Sequence, residues 1–193
     1  MGSNKSQLKI DQHSSLLMDT PYIASANCDE RPEADDINLI VIHGISLPPG
    51  EFGGPEVEQF FTNKLDHHRH PFFEEIRDMH VSSHLFIRRD GRTIQFVPFD
   101  KRAWHAGQSQ YDGRERCNDY SIGIELEGTD NMAYTDSQYE QLAAVIEAIL
   151  QAFPSTSRDR IVGHADIAPG RKTDPGPAFD WAKLSHVLDV RLG

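Results

Sequence analysis

A chain of 193 residues with 38% hydrophobic and 25% charged side chains carries enough apolar material for one packed domain and too much for a disordered one. Its 30 acidic against 19 basic side chains leave a net charge of −11, which argues against a phosphate-binding surface and so against nucleic acid as a partner. No segment approaches the roughly 18 apolar residues of a membrane span, the N-terminus holds no signal-peptide core, and two cysteines are too few for a disulfide framework. The expectation is a cytoplasmic protein with reduced thiols, no membrane attachment and no obligate protein partner.

Residues 1–36 are polar, end in NCDERPEADD and read as an irregular arm, with the domain proper over 37–193. INLIVIH (37–43) is a β-branched apolar run and predicts a buried strand ending at His43. The prolines and glycines of GISLPPGEFGGP (44–55) predict a loop. Pro55 suits the first turn of a helix over 55–65, with Val57, Phe60, Phe61 and Leu65 on one face. Residues 66–83 read as part loop and part extended. The histidines of HHRH there belong to a solvated loop, because neighbours on an extended chain point apart. HLFIRRDGRTIQFVP (84–98) predicts a hairpin turning at Asp90-Gly91, and residues 101–119 read as loop.

YSIGIELEG (120–128) predicts a strand with Glu125 and Glu127 on one face. The clearest helix spans 135–153: Thr135 and Gln138 form a capping box, Leu142, Val145, Ile146, Ile149, Leu150 and Phe153 make an apolar stripe, and Pro154 ends it. RIVGH (160–164) reads as a short strand or turn, and 177–192 as a last helix. Strands interleaved with helices predict a single α/β domain, a central mixed β-sheet flanked by α-helices.

His43 and His164 both stand where a strand meets a loop, the place where sites form in α/β folds. Asp174 follows on a loop stiffened by Pro169, Pro175 and Pro177. Two imidazoles and one carboxylate are a recurrent catalytic zinc set, although two partly buried strand-end histidines fit the spacing as well. Glu125 reads as a proton shuttle or as part of a solvated strand face. Lys172 reads as a stabiliser of a developing anion or as an exposed loop lysine. His84 and His105 are further candidates. Trp104, beside His105, offers an indole face to a sugar or fills the core.

Taken in order, IVIHGISLPPGEFGGP, IRRDG, AWHAG, RERCND, SIGIELEGTD and APGRKTDPGPAFDW resemble the AmpD-type 1,6-anhydro-N-acetylmuramyl-L-alanine amidases, from about residue 36 to about residue 182. The resemblance implies a zinc amidase on the fold shared with peptidoglycan-recognition proteins. It implies one zinc ion held by His43, His164 and Asp174, with Glu125 in proton transfer and Lys172 facing the oxyanion. The implied substrate is an anhydro-muropeptide from cell-wall recycling. Arg116, in RERCND, would anchor stem-peptide carboxylates; Arg171 and Trp104 would touch the sugar side. Gly44, Phe72, His80 and Gly170 depart from the family pattern. The alternative is a muropeptide-binding module on the same fold without turnover. Such modules usually lack a zinc ligand, whereas this chain keeps all three.

Overall fold

The computed structural model describes residues 7–192. The chain opens with β1 (Ile10–Asp11), β2 (Leu16–Leu17) and β3 (Cys28–Glu30), then β4 (Leu39–Ile45), α1 (Glu56–Phe61) and α2 (Pro71–Glu75). A hairpin of β5 (Leu85–Ile87) and β6 (Thr93–Gln95) follows, then β7 (Lys101–Ala103), β8 (Gln110–Tyr111), β9 (Arg114–Glu115) and β10 (Ser121–Glu127). The last elements are α3 (Asp136–Ala152), β11 (Ile161–Gly163), α4 (His164–Ile167) and α5 (Trp181–Leu192). Five strands form the central sheet in the order β11-β4-β10-β5-β6. The first four are parallel and β6 pairs antiparallel to β5, so the sheet is mixed, as the interleaved pattern predicts.

Strand parity divides the molecule into faces. Ile40 and Ile42 of β4, with Ile122, Ile124 and Leu126 of β10, pack against Leu142, Val145, Ile146 and Ile149 of α3 and Leu184 and Leu188 of α5. Each such fully buried side chain contributes about 1.5–3 kcal/mol. The alternate residues Leu39 and Val41 face the other way, toward Ala106, Cys117, Tyr120 and Ile167. On β10 the same alternation places Ser121, Gly123 and Glu125 beside Leu39, Val41 and His43. A third cluster, with Phe60, Phe61, Phe86 and Phe96, seats α1 on the hairpin side. Among the described residues, no helix is long and apolar enough to cross a membrane.

Local chemistry accounts for the differences from the sequence expectations. The first helix stops at Phe61, short of Leu65, as Thr62 bonds back to the Glu58 carbonyl and Asn63 adopts a left-handed φ of 57°. Residues 71–75 are helical, because the His70 ring accepts the Phe72 N–H and Pro71 sits in the first turn. The 101–119 segment contains three short strands. The last helix starts at Trp181, with the Asp180 carboxylate accepting the Lys183 N–H. The Thr135–Gln138 capping box forms as read. The arm is more ordered than its composition suggests: β1 pairs with β2, β3 with β7, and Leu17 enters the main core.

Candidate metal centre

The parallel strands β11, β4 and β10 end at one edge of the sheet, and the chemistry-bearing residues stand there. His43 lies in register with Glu125 on β10. Gly163 pairs with Ile42, and the chain turns at once into α4, whose first residue is His164. Asp174 comes from the following loop, pinned by Ala165 N–H to the Asp174 carbonyl at 3.0 Å and by Tyr134 O–H to the Pro175 carbonyl at 3.0 Å.

The three side chains converge. His43 Nδ1 lies 3.0 Å from His164 Nδ1, and Asp174 Oδ2 lies 3.1 Å from each of them. This near-equilateral triangle fits a small cation, since ligands about 2.0–2.1 Å from a tetrahedral zinc are about 3.3 Å apart. Both histidines are buried and Asp174 is partly so. His164 Nε2–H donates to the Ala106 carbonyl at 3.1 Å, which leaves the Nδ1 lone pair facing the triangle. His43 Nε2 lies 2.9 Å from His105 Nδ1.

Burial lowers the His43 pKa to about 4, against the Asp174 hydrogen bond that raises it. Burial would raise the Asp174 carboxyl, but its close contacts with the His164 and His43 rings hold it well below the usual carboxylate range. His43 is therefore neutral and Asp174 ionised at neutral pH, the forms that ligate a cation.

Two carboxylates on β10 have different surroundings. Glu127 Oε1 accepts from Gly53 N–H at 2.6 Å and Arg88 Nη1 at 3.4 Å, and its Oε2 accepts from Arg89 N–H at 3.0 Å. It ties the 44–55 loop and the hairpin to the sheet. Glu125, two residues earlier, is buried with an Oε2 that has no hydrogen-bond partner. Burial, then the charge of Asp174, raises its pKa well above the ordinary value, with Lys172 opposing. An unpaired buried acid beside a cation cradle is suited to moving protons. Lys172 is half-buried, and its charge acts on both Glu125 and His43.

Arg116 is exposed, in a left-handed backbone conformation, with Nε 3.2 Å from Asp119 Oδ2. It lines a cleft of about 360 Å³ with Arg171, Gln108 and Ile167. Arg171 donates to the Ala106 and Gln108 carbonyls, each at 2.6 Å. Both arginines thus share one cleft, and the geometry does not separate a peptide side from a sugar side between them. Trp104 is tied away to β3 by its indole N–H, which donates to Asp29 Oδ1 at 3.1 Å. On the other side of His43, Gly44, Leu47, Phe60, Phe72, Ile76 and Met79 line an apolar hollow of about 320 Å³. The sequence reading missed Ala106, Asn118, Ser121 and Tyr134 as supports of the centre. The alternation S-I-G-I-E-L-E along β10 was the available signal for Ser121.

The family described as N-acetylmuramoyl-L-alanine amidase matches residues 33–177. The chain is 61% identical over 172 residues to the 1,6-anhydro-N-acetylmuramyl-L-alanine amidase AmpD of Escherichia coli (strain K12), which covers 89% of this chain and 93% of that protein. Among solved structures, a selenomethionine derivative of AmpD is similar with a TM-score of 0.88 and 54% identity, over 91% of this chain and 97% of that one. The amidase AmiD from E. coli, solved with the substrate anhydro-N-acetylmuramic acid-L-Ala-D-gamma-Glu-L-Lys, is similar with a TM-score of 0.58 and 28% identity over 94% of this chain and 65% of that one. With its sheet, its His-His-Asp cradle and its match over most of the length, the chain belongs to the N-acetylmuramoyl-L-alanine amidase family.

Proposed function

We propose that the protein hydrolyses the amide bond joining the lactyl group of 1,6-anhydro-N-acetylmuramic acid to the L-alanine of a stem peptide, with one zinc ion per chain, in the cytoplasm. The observation that carries this is the triangle of His43, His164 and Asp174 donor atoms, with the unpaired Glu125 carboxylate in register beside it. Zinc held by these three residues supplies Lewis-acid polarisation of the scissile carbonyl and lowers the pKa of a water molecule toward ~7.

Glu125 takes the proton of the attacking water, which its raised pKa equips it to hold, and returns it to the leaving amine. Lys172 places its ammonium near the charge that develops on the carbonyl oxygen. Arg116, exposed at the cleft, binds a stem-peptide carboxylate through its planar fork. Arg171, bonded to the Ala106 and Gln108 carbonyls, keeps the cleft wall in place.

Zinc content per chain, measured together with mass-spectrometric detection of peptide freed from an anhydro-muropeptide, tests the reading. The expected result is about one zinc per chain and peptide release that stops with a chelator. Bound zinc without release would leave a recognition module, and release that survives full metal removal would overturn the metal role.

A further inference from the structure

The two metal histidines are held by one turn of chain, Trp104–Gly107. The Ala106 carbonyl accepts the His164 Nε2–H at 3.1 Å, and the next side chain back, His105, meets His43 Nε2 at 2.9 Å. The turn is itself fixed from below: Asn118 Oδ1 accepts both the His105 N–H at 3.1 Å and the Ala106 N–H at 2.8 Å. The His105 ring lies flat on β10 over Gly123, where any side-chain carbon would collide with the imidazole. Its second nitrogen, Nε2, lies 3.1 Å from Ser121 Oγ. Ser121, His105 and His43 therefore form a buried line that ends at the metal triangle.

We propose that His105 is the positioning residue that sets which nitrogen of His43 carries the ring hydrogen, and so leaves the Nδ1 lone pair to the metal, through the line His43–His105–Ser121. The inference rests on the metal reading above. A cation takes a lone pair on His43 Nδ1, so the single ring hydrogen of His43 sits on Nε2 and is donated to His105 Nδ1. His105 then carries its own hydrogen on Nε2 and donates it to the Ser121 hydroxyl, which can accept. With no cation the line runs the other way: Ser121 O–H donates to His105 Nε2, His105 Nδ1–H donates to His43 Nε2, and His43 Nδ1–H points at Asp174 Oδ2, 3.1 Å away. Each ring keeps one hydrogen in both directions and no net charge moves. A hydroxyl at 121 suits both, because it can donate or accept. His164 needs no such freedom, and a backbone carbonyl fixes it in one form. The cradle is thus held in shape with or without its ion.

The test is zinc affinity of the metal-depleted full chain, by competition with a chromophoric chelator, for the wild type, His105→Leu and His105→Asn. Leucine removes the acceptor, and affinity is expected to fall about 10–100-fold. Asparagine places an oxygen near the position of Nδ1 and is expected to recover most of that loss. Nitrogen-15 NMR of the zinc-loaded wild type is expected to show the hydrogen on Nε2 in both His43 and His105. Leucine with wild-type affinity, asparagine as weak as leucine, or a hydrogen on His105 Nδ1 in the loaded protein would each overturn the proposal. The NMR result decides it alone if the leucine variant does not fold. Absence of zinc binding by the wild type would instead strike the metal reading itself.

Discussion

Replacing Glu125 by glutamine keeps the size of the side chain and removes its ability to take and return a proton. The carboxylate is buried and its Oε2 has no partner, so activity and stability are expected to move in opposite directions. Turnover should fall about 10²–10⁴-fold, or about 2.7–5.4 kcal/mol of transition-state stabilisation. Stability of the metal-depleted protein should rise near neutral pH, because ionising the buried carboxylate costs folding free energy that a neutral amide does not incur. The pH dependence has a definite sign. The folded-state pKa of Glu125 is raised, so its contribution is fully present below the unfolded value of about 4.3 and is lost as pH rises through the folded value. The stability advantage of Glu125→Gln should therefore be small near pH ~4 and grow toward neutrality. Urea unfolding across that range, with turnover on an anhydro-muropeptide, reads both effects. A variant that turns over within about tenfold of wild type, or that is less stable at every pH, would refute the reasoning.

Asp174→Ala should lose zinc and activity together, by metal analysis and assay, because two imidazoles alone leave a catalytic site one ligand short. Arg116→Ala should raise KM for peptide-bearing substrates about tenfold or more with little change in kcat, the mark of lost uniform binding in steady-state kinetics. Acid should weaken the metal-depleted protein. The folded pKa values of His43, about 4, and His84, about 3, lie below the unfolded value, and that of buried His105 is lowered too. Their stabilisation is complete above about pH 6.5 and lost as pH falls toward 4. Glu125 opposes them, but the three histidines outweigh it, so stability is expected to fall as pH drops through this range. Urea midpoints measured from pH ~7 to ~4.5 check it, and a flat profile would contradict it.

The parts of this fold that are periodic or punctuated could be read from the chain. The apolar run at β4, the capping box of α3 and the turn from β11 into His164 are local signals, whereas β4 runs past its expected end at His43 as far as Ile45. The contrast between Glu125 and Glu127 was not readable. Both sit on one face of one strand, and what separates them is donors from Gly53, Arg88 and Arg89, brought in by a distant loop and hairpin. The end of α1 was misplaced for a related reason: its apolar spacing continues to Leu65, but the backbone turns left-handed at Asn63. Of the supports behind the cradle, His105 stood out in the chain as a candidate, whereas the Ala106 carbonyl and the Asn118 side chain that fixes its turn come together only in the fold.

Arg31 gives the N-terminal segment a meaning that its composition hides. Its guanidinium is buried and donates to the carbonyls of Phe99, Asn118, Asp119 and Ser121, the last at 2.8 Å. Those carbonyls flank the entry to β10, the strand that presents Glu125. A chain begun at residue 37 would strip them of their shared donor and leave each interior oxygen short by about 1–3 kcal/mol. Trimming the segment as a dispensable tail is therefore expected to loosen the floor under Glu125.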